Sequence, residues 1–253
     1  TAIVTGKISG ENHPFVKHFI FLRDLVKDKK GVEARFTIPA PAQFYAELVR
    51  EDKHVEALLK VYPDFKGLED DIVNAYKTVI NDLYNEGLRT LQIDDCTWGC
   101  LVDLNINNRV FQNNQEDLVI NTHVCRGNYA STWFGQGGYD KIADELFGKE
   151  DVNAYYLEFD TERAGTFESL AKVSGDKKVV LGLITSKNPT LEEKEAVIAR
   201  IKEASKYVPL DRLYLSPQCG FASTEEGNHL TEEQQWVKLK FIKEVADEVW
   251  GKN

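Results

Sequence analysis

Leu118-Val119-Ile120-Asn121-Thr122-His123-Val124-Cys125 and Leu213-Tyr214-Leu215-Ser216-Pro217-Gln218-Cys219 decide the fold. Each is an apolar, β-branched run that ends in polar, metal-competent side chains, the pattern of a buried strand with a reactive carboxyl end. Side chains alternate along a strand, so His123 and Cys125 project to one face. In Tyr155-Tyr156-Leu157-Glu158-Phe159-Asp160 the same alternation puts Tyr155, Leu157 and Phe159 on a helix-covered face and Glu158 with Tyr156 and Asp160 on the other. A carboxylate in such an apolar strand needs a partner. In an open sheet with strands in chain order, the ends carrying Cys125 and Cys219 lie three spacings apart, about 14 Å, whereas zinc bonds are about 2.0–2.3 Å long. A closed (β/α)₈ barrel removes the conflict, because inward residues of different strands converge at its carboxyl mouth.

The rest of the chain fits that frame. Strand runs fall at 1–8, 33–40, 90–95, 118–125, 154–160, 178–185 and 212–217, seven in all, with amphipathic stretches between them. The stretch from 41 to 87 predicts two helices broken near Tyr62-Pro63-Asp64, since proline disfavours helix in its predecessor. The second of the two should stop at Gly87, in Tyr84-Asn85-Glu86-Gly87, where glycine permits a left-handed conformation. The last stretch predicts a helix capped by Thr231 whose apolar face carries Trp236, Leu239, Ile242, Val245 and Val249. Nothing marks a linker or a composition shift, so residues 1–253 read as a single α/β barrel domain with a parallel sheet.

Composition narrows the partners. The 253 residues carry 31 basic and 41 acidic side chains, a net charge of −10. That balance argues against nucleic acid and anionic membranes. No apolar run approaches membrane-helix length and no signal peptide opens the chain, so a soluble, cytoplasmic protein is expected. The chain contains no methionine and begins at Thr1 inside an apolar run, which suggests that an N-terminal part, with one or more strands, precedes it.

A set of two cysteines, one histidine and one glutamate (His123, Cys125, Glu158, Cys219) suits zinc, as mixed thiolate and imidazole ligands do; the alternative is that His123 and Cys125 are ordinary interior residues. Cys96 and Cys100, four apart, suit packing better than metal binding. Trp98, Tyr129 and Trp133 follow strand ends and either stack on a flat ligand ring or cover loops. Arg126-Gly127-Asn128, with Gly135-Gln136-Gly137-Gly138, makes a polar mouth loop in which Arg126 could hold an anionic group of a substrate. The acidic runs Glu69-Asp70-Asp71 and Glu192-Glu193 with Glu195 read as solvated helix faces.

Asn121-Thr122-His123-Val124-Cys125, Tyr156-Leu157-Glu158, Leu91-Gln92-Ile93-Asp94-Asp95 and Ser216-Pro217-Gln218-Cys219-Gly220-Phe221 together resemble the motifs of the cobalamin-independent methionine synthase catalytic domain, especially its short single-domain relatives. The resemblance spans essentially the whole chain, including Phe36-Thr37-Ile38-Pro39-Ala40-Pro41-Ala42-Gln43-Phe44. It implies a (β/α)₈ barrel with further strand before Thr1, and zinc held by His123, Cys125, Glu158 and Cys219. It also implies methyl transfer from 5-methyltetrahydrofolate to the thiol of homocysteine. Asp94 matches the aspartate that holds the homocysteine amino group; a helix-capping or barrel-lining carboxylate is the alternative. Glu158, the one oxygen donor, is the candidate for a labile ligand. The chain departs from the family after Asp94, where Asp95-Cys96-Thr97-Trp98 replaces Glu-Pro-Ala. It departs again at Thr185-Ser186-Lys187-Asn188-Pro189, where Lys187 replaces a histidine that handles a proton at the donor. A lysine there needs burial or a cationic neighbour to act as an acid. A different thiol, a corrinoid or other non-folate methyl donor, or a barrel that binds without turnover, remain alternatives.

Overall fold

A computed structural model describes residues 3–99, 104–112 and 115–251. Six strands form one sheet ordered as in the chain: β1 (Arg35–Pro39), β2 (Thr90–Asp95), β3 (Val119–Val124), β4 (Ala154–Glu158), β5 (Lys178–Ile184) and β6 (Leu213–Pro217). The pairings β1–β2, β4–β5 and β5–β6 are parallel. The helices are α1 (Pro14–Val26) before β1, α2 (Pro41–Leu48), α3 (Asp52–Leu59), α4 (Phe65–Asn85), α5 (Leu104–Phe111), α6 (Ala143–Lys149) and α7 (Lys194–Ala204) between strands, and α8 (Glu232–Trp250) after β6. This is the α/β architecture of the barrel class, and among the described residues it uses six strands. None of the described helices is long and apolar enough to cross a membrane.

The chain divides into two compact units, residues 1–121 and 122–253. In the first, β1 and β2 are in register with Pro39 opposite Asp94, and the Ala40 amide donates to the Asp94 carbonyl at 2.8 Å. The side chains of β2 alternate: Leu91, Ile93 and Asp95 are buried, whereas Gln92 and Asp94 take the half-buried opposite face. Of the run at 1–8, where a strand is expected, the described residues 3–8 carry no strand pairing. Apolar composition does not hold an extended segment without a neighbour to complete its ladder. The Ile8 amide instead donates to the Tyr62 hydroxyl at 2.7 Å, and Lys7 lies over the Tyr62 ring.

The stretch from 41 to 87 holds three helices rather than two. The break before α4 falls where Pro63 requires it, and Asp64 caps α4 by accepting from the Gly67 amide at 2.7 Å. A further break at Val49–Glu51 has no proline or glycine to announce it. Past the end of α4, Gly87 adopts φ +101°, its amide donates to Tyr84 and that of Leu88 to Leu83. That double closure is the left-handed helix stop that glycine permits.

In the second unit, Tyr155, Leu157 and Phe159 are sealed on the helix side of β4 as the alternation predicts. Thr231 caps α8, exchanging hydrogen bonds with Gln234. The buried stripe of α8 is rotated from the expected one: Lys238, Phe241 and Val245 are inside, while Trp236 is 60% exposed. Lys238 reaches the Thr190 carbonyl at 2.6 Å and Glu192 at 3.3 Å. Glu192 is therefore not a solvated face residue; it also accepts from the Thr185 amide at 2.8 Å and ties the end of β5 to α8. A lysine sealed at this position is tolerated because its charge and donors are met. The other acidic run is also less solvated than expected. Asp70 pairs with Lys66 and Arg109, and Asp71 accepts from Tyr62 at 2.8 Å.

Candidate metal centre

His123 near the end of β3, Cys125 just past it, Glu158 at the end of β4 and Cys219 two residues beyond β6 bring their ligand atoms within 4.8 Å of one another. The Cys125 and Cys219 sulfurs are 4.0 Å apart. A flat sheet would separate these strand ends by about 14 Å, so the sheet of this unit must curl. Gly182 in β5 contributes directly. It pairs with Glu158 on one side and Ser216 on the other, and a Cβ there would fall 2.7 Å from the Gln218 Cα. Only glycine lets the turn that carries Cys219 lie this close over β5.

The chain orients each donor. His123 Nδ1 lies 3.1 Å from the Tyr156 carbonyl, which fixes the ring and leaves Nε2 as the ligating nitrogen. The amides of Arg126 and Gly127 point into the centre, one to Glu158 Oε1 at 2.8 Å and the next to Cys125 Sγ at 3.4 Å. Glu158 is fully buried, and its Oε2 accepts from Arg163 Nη2 at 2.6 Å. The Tyr139 hydroxyl accepts from the Glu158 amide at 3.0 Å and fixes that residue's backbone. The Cys219 thiol is held well below the usual thiol range, chiefly by Cys125 beside it and then by His123 and Ser223, against the opposing effect of burial. These four residues can hold a metal ion. Tetrahedral coordination with zinc–sulfur bonds of 2.3 Å places two sulfurs about 3.8 Å apart, close to the spacing here. Two sulfurs, an imidazole and one carboxylate fit zinc and not magnesium or calcium, which take oxygen ligands.

A polar network joins the segments that carry the two cysteines. Asn128 donates to the Gly220 carbonyl at 2.8 Å and to Ser223 Oγ at 2.7 Å. Asn228 donates to Asn128 Oδ1 at 3.0 Å and to the Ser186 carbonyl at 2.9 Å, and accepts from the Ser131 amide. Gln218 Oε1 accepts from the Ser186 amide at 2.6 Å. Asn128, Ser186, Gln218 and Gly220 stand in segments that the sequence singles out, whereas Ser131, Ser223 and Asn228 do not. Asn228 and Ser131 carry no local signal because their partners are remote in the chain, and Arg163 carries none because its two neighbouring carboxylates become telling only once all three side chains are seen to be buried.

The other predicted residues fall as follows. Asp94, next to last in β2, lies on the half-buried face and accepts from Gln92 Nε2 at 3.0 Å. The capping carboxylate is its neighbour Asp95, which is sealed and accepts from the Thr97 amide at 2.8 Å and from Asn107. Burial pushes the Asp95 carboxyl up, and the bonds from Thr97 and Asn107 oppose it. Trp98 is buried, whereas Tyr129 and Trp133 are exposed beside a Phe134 that is 87% exposed. The Arg126 guanidinium contacts the Gly137 carbonyl and lies over the Tyr139 ring. Its amide is the part of Arg126 that reaches the cluster. Lys187 follows β5, and its Nζ is buried with no hydrogen-bond partner among the described residues. Cys96 is exposed and Cys100 lies outside the described residues.

Residues 66–247 match the family model described as the cobalamin-independent synthase catalytic domain. The chain belongs to the cobalamin-independent methionine synthase family. Its relatives in that family include the uncharacterised Bacillus subtilis protein YxjG, 38% identical over 98% of this chain and 69% of that protein. A methionine synthase of Pyrococcus horikoshii is 27% identical over 41% of this chain and 27% of its own length. Among solved structures, a Listeria monocytogenes protein assigned to vitamin-B12 independent methionine synthase superposes with a TM-score of 0.76 at 35% identity, over 98% of this chain and 73% of that one. Members of the cobalamin-independent methionine synthase family are methyltransferases, and the strand-end cluster described above lies within the matched residues.

Proposed function

We propose that the chain is a zinc-dependent methyltransferase of the cytoplasm that transfers the methyl group of a 5-methyltetrahydrofolate to the thiol of homocysteine, giving methionine. The observation that carries this reading is the convergence of His123, Cys125, Glu158 and Cys219 at the carboxyl ends of three different strands and the turn beyond one of them. Zinc bound there supplies the positive charge that keeps an acceptor thiol ionised near neutral pH. The chain's residues do the rest. His123, Cys125 and Cys219 are the fixed ligands, oriented by the Tyr156 carbonyl, the Gly127 amide and Ser223. Glu158 is the exchangeable one. Asp94 binds the ammonium of the amino acid acceptor. Lys187 serves the donor side, where its N–H groups, unclaimed among the described residues, can meet the nitrogen that gains a proton as the methyl leaves. Trp98, a buried ring just past β2, is assigned to substrate binding.

The substitution of Lys187 for the family histidine favours a second reading in which the same centre activates its thiol toward a non-folate methyl donor. Both readings are tested by following methyl transfer to homocysteine with zinc-loaded protein and again after chelation. Methionine formed from 5-methyltetrahydrofolate, lost on chelation and restored by zinc, is the expected result. Product only from another methyl donor would select the second reading, and turnover indifferent to zinc would refute both.

A further inference from the structure

Glu158 differs from the other three cluster residues in how it is held. Its Oε2 accepts from Arg163 Nη2 at 2.6 Å, and the same Nη2 donates to Asp160 Oδ1 at 3.1 Å. The three side chains are nearly sealed from solvent, Arg163 at 7% exposure, Glu158 at 0% and Asp160 at 1%. One guanidinium thus serves two buried carboxylates, and the group carries an excess negative charge that a cation at the cluster would offset. A buried ion pair that loses one member leaves a costly unpaired charge. Here that cost is avoided, because Asp160 remains on Arg163 whichever way Glu158 turns. The remaining guanidinium contacts, to the Gly135 carbonyl at 3.3 Å and over the Trp133 ring, anchor Arg163 independently of Glu158.

We propose that Arg163 is a positioning residue that makes Glu158 an exchangeable metal ligand, receiving the carboxylate when it leaves the ion, with Asp160 keeping the guanidinium paired when it returns. This rests on the zinc reading given above. It explains how a fourth coordination position is vacated for an anionic thiolate while His123, Cys125 and Cys219 stay in place. With zinc bound, an acceptor thiol would release its proton to solvent and its thiolate would replace the carboxylate charge for charge.

Arg163 and Asp160 act on Glu158 in opposite senses, and this gives the test. Affinity for Co²⁺ is measured by chelator competition in the wild type, Arg163→Met and Asp160→Asn, each alone and combined with Glu158→Gln. The thiolate-to-cobalt charge-transfer band verifies that both cysteines still bind. Arg163→Met removes the competitor for Glu158 and should tighten binding about tenfold, while Asp160→Asn leaves Arg163 entirely to Glu158 and should weaken it about tenfold, the lower end of what partners of metal ligands typically change. Both differences should vanish in the Glu158→Gln background. Shifts of the same sign, or none, in proteins that keep the band would overturn the proposal. Where Arg163→Met does not fold, Arg163→Lys keeps the charge without the fork, and a smaller tightening is expected; weakening would overturn it. A wild type that takes up no Co²⁺ removes the zinc reading itself, a result distinct from failure of the Arg163 role.

Discussion

Cys219→Ser is expected to lose stoichiometric zinc and methyl transfer together while the chain stays folded. The serine is nearly isosteric, and Cys219 contributes little to packing beyond its contacts with Cys125 at 4.0 Å and Ser223 at 3.6 Å. What it removes is one of two soft ligands. Changes to the outer partners of metal ligands already alter affinity by about 10–100-fold, so loss of a ligand should exceed about a hundredfold. His123→Ala should have the same effect on zinc, with an added stability loss of about 1–3 kcal/mol because a buried ring is deleted and the Tyr156 carbonyl loses its partner. Metal analysis with circular dichroism of both variants checks this. Undiminished zinc in either variant would remove that residue from the centre.

The second large effect is expected at Asp94. Asp94→Asn keeps the shape and the contact with Gln92 but removes the charge that meets an ammonium group. A hydrogen bond to a charged group contributes about 1.5–3 kcal/mol, and each 1.4 kcal/mol is tenfold, so kcat/KM for homocysteine should fall about 10–100-fold. The same thiol without its amino group should be used equally by both proteins. A parallel loss with both thiols would make Asp94 a structural carboxylate, like the neighbouring Asp95 that anchors Thr97 and Asn107.

That pair of aspartates shows what the sequence discloses and what it does not. Alternation assigns opposite faces to Asp94 and Asp95, and helix capping is the alternative role the sequence leaves open for Asp94. Which of the two caps depends on Asn107, twelve residues on, and on burial. The metal-competent residues are legible because strand period and strand-end placement are local, and a zinc bond sets a distance that only a curled sheet satisfies. Six strands are legible for the same reason. The run at 1–8 misleads because a strand is defined by its neighbour and not by its own composition. The helix face of α8 misleads because an apolar count puts Trp236 inside and a lysine outside, whereas Glu192 and the Thr190 carbonyl bring Lys238 in. Arg163 is illegible for a related reason: an arginine in Thr161-Glu162-Arg163 becomes informative only once two buried carboxylates are seen to share it.

The central claim is that these four side chains form one zinc centre. X-ray absorption at the zinc edge of the purified protein tests it most directly. The account predicts two sulfur neighbours at about 2.3 Å with nitrogen or oxygen completing four ligands at about 2.0–2.2 Å. A zinc surrounded by nitrogen and oxygen alone, or a folded protein that retains no zinc after loading, would contradict it.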